Sequence, residues 1–122
     1  MSATLSNSGG ALHISSGSTT TAIEQGIAKA WVNFDGTGTA AISDSYNTSS
    51  LTDKGTGHYW VYWTDTFTNA DYCYTASGRS EGQAIDASGA STSTLVAYIS
   101  VNGGGSLVDN STNCIVCHGD LA

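Results

Sequence analysis

Residues 114–118 read Cys-Ile-Val-Cys-His, a C-x-x-C-H spacing. That pattern attaches haem covalently. Two thiols, here Cys114 and Cys117, add to the vinyl groups, and the histidine, here His118, ligates the iron. The surrounding sequence opposes this reading. Only four residues of the sequence follow His118, which leaves little chain to wrap a macrocycle. The sole methionine is Met1, so His13 and His58 are the remaining axial candidates. Haem is attached in this way outside the cytosol, and the first 20 residues lack the basic start and apolar stretch of an export signal. If residues 112–118 form a strand, Cys114 and Val116 face one way and Ile115 and Cys117 the other. The cysteines then act as small apolar side chains. With Cys73 they are expected to stay reduced, as thiols do in the cytosol.

Other chemistry is equally hard to assemble. A structural zinc needs a second ligand pair beside C-x-x-C. Only Cys73, His58 and His13 remain, and none is paired at ligand spacing. The ten acidic residues are scattered through loops and turns, and Glu24 and Glu81 would meet as acid and base only by accident of folding. Residues 35–38 (Asp-Gly-Thr-Gly) form a hairpin turn signal, without the several oxygen ligands of a calcium loop. The serines are read as surface residues, not nucleophiles. No catalytic residue, metal or cofactor is expected, and the chain is read as a non-enzyme.

The strongest signal of contact with something else is aromatic. Residues 58–63 read His-Tyr-Trp-Val-Tyr-Trp. On a strand, Tyr59, Val61 and Trp63 point one way and His58, Trp60 and Tyr62 the other. Both faces then have large side chains to bury. One face suits a core. The other suits a subunit interface, where aromatics are enriched, or a platform on which sugar rings stack beside Asn, Asp and Ser. The interface is the preferred reading of His58, Trp60 and Tyr62.

The elements that position these residues follow from composition. The 122 residues make one domain with one modest core. Charged residues are 11%, against about 25% in an ordinary soluble domain. Solubility falls instead to 18 Ser and 16 Thr. Prolines are absent and glycines number 15, and Thr, Val, Ile and aromatics occur in short runs between turn residues. This is strand-and-turn composition. The net charge is −7, with only Lys29, Lys54 and Arg79 positive. Three scattered cations cannot replace the counterions of a nucleic acid, and no apolar run approaches the roughly 20 residues of a membrane span.

Strands are expected at 30–34, 39–46, 58–63, 72–75, 94–102 and 112–118, with a weakly marked one near 84–87 inside a polar connection from 78 to 93. Residues 22–30 have Ile23 and Ile27 at helical spacing, weakened by Gly26. Residues 47–57 read as a loop. Residues 1–21 are polar, with Leu5, Leu12 and Ile14 as the candidates for contact with neighbouring subunits. The fold class expected is all-β, an antiparallel β-sandwich of six to eight strands. Its domain plan is an assembly arm at 1–21 and a sandwich at 22–122.

Several blocks, in order, carry a resemblance. Residues 28–39 (AKAWVNFDGTGT), 42–50 (ISDSYNTSS), 52–63 (TDKGTGHYWVYW), 70–74 (ADYCY) and 116–122 (VCHGDLA) are similar to blocks in the C-terminal domains of bacteriophage tail-fibre and related virion proteins, marine and cyanophage types especially. The resemblance implies a trimeric, jelly-roll-like knob with an extended N-terminal arm, displayed on the virion surface after synthesis in the host cytoplasm. Its partners would be a homotrimer, other virion proteins of capsid or tail, and a host-surface glycan, with no nucleic acid and no membrane insertion. It makes 112–118 a closing strand instead of a haem site. Two features depart from the family: the long fibre shaft is missing, and Ser43 replaces a basic residue.

Overall fold

The computed structural model describes residues 4–8, 11–16, 19–78, 83–101 and 105–122. Among them are the strands β1 (Thr4–Ser8), β2 (Ala11–Ser16), β3 (Thr19–Ala22), β4 (Ala30–Asp35), β5 (Ala41–Tyr46) and β6 (Thr48–Gly55). These are followed by β7 (His58–Trp63), β8 (Cys73–Gly78), β9 (Gln83–Ser88), β10 (Thr94–Val101) and β11 (Asn113–His118). Three antiparallel sheets result, ordered β1-β2-β3, β6-β7-β10-β9 and β5-β4-β11-β8. The protein is all-β.

Alternation explains why the central strands form and which way they face. In β4, Ala30, Val32 and Phe34 are buried while Trp31, Asn33 and Asp35 are half-buried. In β7, Tyr59, Val61 and Trp63 are buried, and in β11, Asn113, Ile115 and Cys117. Leu95 and Ala97 of β10 complete the pattern. The buried residues among these other than Asn113, with Phe67 and Tyr72, form one hydrophobic cluster fed by both four-stranded sheets. Full burial of each large side chain is worth roughly 1.5–3 kcal/mol. Aromatic pairs organise the cluster. Phe34 meets Tyr59 edge-on at 5.1 Å between centroids, and Phe67 stacks on Tyr72 at 4.1 Å.

Two expectations need revision, and a third is borne out. Residues 48–55, read as part of a loop, are strand β6, paired to β7 with Leu51 opposite Val61 and Thr52 opposite Trp60. As an edge strand it needs little apolar signal, and Leu51 alone packs on the core. The 22–30 segment makes only a short 3-10 turn, Ile23–Gly26, and Ile27 leaves it in an extended, half-exposed conformation. The turn is tied down by Lys29, whose ammonium donates to the carbonyls of Glu24 and Gly119. The weakly marked segment at 84–87 is a full strand, β9, paired to β10. Residues 4–22 form the meander β1-β2-β3, with Leu5 opposite Ile14 and Leu12 opposite Asn7. The side chains of Leu5, Leu12 and Ile14 lie outside those described.

The chain passes from one large sheet to the other between β5 and β6, at Asn47. This residue has φ +53°, a left-handed conformation that Asn tolerates better than most. Its amide nitrogen donates to the carbonyls of Lys29 (3.0 Å) and Asp65 (3.1 Å), and its amide oxygen accepts from the Asp65 N–H at 2.6 Å. One side chain thus ties the corner to two other segments. Both Asn47→Ala and Asn47→Gly lose these bonds, but only alanine also pays the left-handed penalty. We expect Asn47→Gly to be destabilised less than Asn47→Ala, by about 1 kcal/mol. Urea denaturation of the pair measures this, and the opposite order would show that the corner conformation is not what matters.

A second tie is the buried phenol of Tyr59. Its hydroxyl donates to Asp109 Oδ1 (2.7 Å) and lies 2.9 Å from the Gly36 carbonyl. Asp109 Oδ1 also accepts from the Gly57 N–H at 2.8 Å. Gly36 is required by close approach, since a Cβ there would stand 2.8 Å from Tyr59 Cζ. Burial, then the Asp109 hydrogen bond and charge, push the Tyr59 pKa up. The bonds from Gly57 and Tyr59 hold the Asp109 carboxyl below its ordinary range. A carboxyl with a lowered folded pKa stabilises the fold above its unfolded pKa of about 3.9. That contribution is lost as pH falls through the folded value. Asp109→Asn should therefore flatten the acid limb of stability against pH, measured by urea midpoints from neutral pH downward. An acid limb identical to that of the parent would remove Asp109 from this role.

Candidate functional site

The outward side of β7 carries His58, Trp60 and Tyr62, all half-buried. Cross-strand neighbours extend each into a row. Trp60 lies between Thr52 of β6 and Val96 of β10, Tyr62 between Ser50 and Thr94, and His58 between Gly55 and Tyr98. The His58 and Tyr98 rings stack at 4.4 Å, and Trp60 meets Tyr62 at 6.4 Å with the rings tilted by 52°. The Trp60 indole N–H donates to His58 Nε2 at 3.2 Å. The Lys54 ammonium sits 4.5 Å from the centroid of the Trp60 ring, a cation–π contact. The structure therefore brings the three residues singled out by alternation onto one surface, with Lys54 and Tyr98 added.

A second outward row, missed from sequence, crosses the other large sheet. Tyr46 of β5 stands opposite Trp31 of β4, Trp31 opposite Val116 of β11, and Val116 opposite Thr75 of β8. Tyr46 is 55% exposed. The signal was present: strand parity that puts Ala30, Val32 and Phe34 inward puts Trp31 outward.

The C-x-x-C-H segment is strand β11. Cys117 is buried in the core, opposite Ala30 and Tyr74, whereas Cys114 is half-buried on the other side, opposite Asn33 and Ser77. Two thiols on opposite faces of a sheet cannot bond one macrocycle. All three cysteines are free thiols, and Cys73 is exposed. Burial, then the neighbouring Cys73, pushes the Cys117 thiol up to about 12. His118 faces out beside Cys73, its cross-strand partner. Among the described residues, no three His, Cys, Asp or Glu side chains are grouped so as to hold a metal ion.

One spacing escaped the sequence reading. Residues 78–82 read Gly-Arg-Ser-Glu-Gly, which matches the G-x-S-x-G nucleophile motif. That motif works on a turn from a strand into a helix. Here it joins β8, ending at Gly78, to another strand, β9, beginning at Gln83. Arg79, Ser80, Glu81 and Gly82 themselves lie outside the described residues, so the Glu24–Glu81 pairing does too. No protein-family model, curated protein or solved structure matches the chain.

The thiolate is the reactive form of cysteine, and burial suppresses it. Under native conditions at pH 8, DTNB should modify Cys73 first and Cys114 more slowly. Cys117 should react only once urea unfolds the chain. Native modification of Cys117 at a rate near that of Cys73 would contradict its placement in the core.

Proposed function

We propose that this chain is a non-enzymatic structural module of a bacteriophage virion surface. It would be a trimeric, jelly-roll-like β-sandwich serving as capsid decoration, head fibre or tail-fibre knob. The observation that carries this reading is the pair of outward aromatic rows, Trp60 and Tyr62 with His58 and Tyr98 on one sheet, Trp31 and Tyr46 on the other. These side chains are surplus to the shared core. Burying what remains exposed of them between copies supplies part of the roughly 1.5–3 kcal/mol that full burial of a large side chain is worth, and a closed symmetry multiplies every contact.

The family resemblance adds support because its blocks coincide with elements of the fold. Residues 28–39 cover β4 and its turn, 42–50 run through the Asn47 corner, and 52–63 span the β6–β7 hairpin. The partners in this reading are two further copies, neighbouring capsid or tail proteins, and a host-surface glycan. Three cations against ten acids give nucleic acid nothing to bind. The protein would be made in the host cytoplasm and reside on the virion.

The alternative is a glycan-binding face on Trp60 and Tyr62. It is favoured by the hydroxyl-bearing residues Ser50, Thr52 and Thr94 that flank those rings. It requires the Lys54 ammonium to leave the Trp60 ring. Light scattering coupled to gel filtration separates the two readings. The parent chain should run as a trimer, and Trp60→Ala or Trp31→Ala should shift it towards monomer. A monomeric parent across micromolar concentrations would sink the assembly reading. An intact trimer of Trp60→Ala that loses glycan-array binding would establish the alternative.

A further inference from the structure

A cleft of about 370 Å³ opens where the loop between β7 and β8 meets the segment after β11. It is lined by Asn69, Asp71 and Tyr72 from the loop, by His118 and Asp120 from the end of β11 and beyond, and by Gln25. Its walls are held before any ligand arrives. The Thr68 N–H donates to the Asp120 carbonyl (2.8 Å), the Ala122 N–H to the Thr66 carbonyl (2.9 Å), and Phe67 bridges to Leu121. Gln25 Nε2 donates to Asp120 Oδ1 at 2.9 Å, and the Asp71 N–H to Asn69 Oδ1 at 2.9 Å. Gly119 lets the two sides approach, since a Cβ there would stand 2.7 Å from Tyr72 Cβ. Tyr72 is in turn fixed by stacking on Phe67 and by a hydrogen bond to the Thr94 carbonyl.

We propose that this cleft binds a neutral saccharide unit. The volume lies at the small end of the roughly 300–1,000 Å³ usual for ligand pockets, which suits a short glycan end. The lining carries two carboxylates and neither a lysine nor an arginine, so an anionic ligand is repelled. Its polar character disfavours an apolar one. Carboxylates accept hydrogen bonds from hydroxyls, and the Asn69 amide, its oxygen already used by Asp71, offers an NH₂ donor. A polyol uses both kinds of group, whereas an ammonium uses only the acceptors. Pre-organised walls lower the ordering cost of binding. The site lies apart from Trp60 and Tyr62 and does not depend on the virion reading.

The test is an amide-shift NMR titration of the full chain with glucose, galactose, mannose and N-acetylglucosamine, each to high millimolar concentration, beside putrescine as a cationic control. At least one sugar should move the backbone signals of Asn69, Asp71 and Asp120 saturably. Asp71→Ala and Asp120→Ala, with the rest of the spectrum intact, should each weaken that sugar roughly tenfold or more. Trp60→Ala should leave its affinity unchanged. The inference is overturned if none of the four sugars shifts these signals. It is also overturned if putrescine alone does, or if Trp60→Ala and not Asp71→Ala removes binding. Oligomeric state, measured on the same samples, reports separately on the assembly reading.

Discussion

Tyr59 is fully buried in the cluster shared by the two large sheets, and a phenol placed there must satisfy its hydroxyl or lose about 1–3 kcal/mol. Much of the nearby chain follows from that constraint. Gly36 lacks a side chain because the phenol occupies the space, and its N–H is bonded in turn to the Asn110 carbonyl at 2.8 Å. Asp109 is held between the Tyr59 hydroxyl and the Gly57 N–H. Asn113, entirely buried, donates to the carbonyls of Phe34 and Asn110. One buried aromatic therefore fixes the β4–β5 turn, the β6–β7 turn and the approach to β11 relative to one another. At the opposite end of β7, the Trp63 indole and the Tyr72 hydroxyl make a comparable tie, with Tyr72 passing the connection on to Thr94.

The same alternation that supplies the core creates the outer surface. A strand cannot bury Tyr59, Val61 and Trp63 without presenting His58, Trp60 and Tyr62 to the other side. Those residues need not be large. Other surface strands of this chain carry Ser and Thr outward, as β6 does at Ser50 and Thr52 and β8 at Thr75 and Ser77. Aromatic side chains outward on β4 and β7, with the Lys54 ammonium and the Tyr98 ring laid against them, are a departure from the chain's own habit. That contrast gives the outer rows their weight in the assembly reading, more than their exposure, which for the β7 residues is only partial.

The sequence made β4, β7, β10 and β11 legible because each alternates apolar and polar residues over enough positions to fix its facing. It left β6 illegible because an edge strand draws its order from hydrogen bonds to β7 and needs just Leu51 for packing. The missing helix has a related cause. Ile23 and Ile27 have helical spacing, but the lysine that organises the turn does so through the Gly119 carbonyl, a contact across the fold that local spacing cannot register. The aromatic rows divide in the same way. His58, Trp60 and Tyr62 alternate along one strand and could be read directly. Trp31, Tyr46 and Val116 become a row only once β4, β5 and β11 are neighbours. The polar cleft is less legible still, since it gathers residues 25, 69, 71–73 and 118–120 from separate segments that meet only in the fold.

The C-x-x-C-H segment makes the dependence of motif on conformation concrete. Two cysteines three positions apart lie on one side of a helix or tight turn, where the period is near 3.6 residues. On a strand the period is two, and the same interval places them on opposite faces. β11 resolves the ambiguity through its neighbours. It lies between β4 and β8, and Ile115 must face inward to meet Val32 and Ala76. Once Ile115 is inward, Cys117 is inward too, and Cys114 and His118 are outward. In β11 the residue types are right for a reaction, and the period of the strand takes it away.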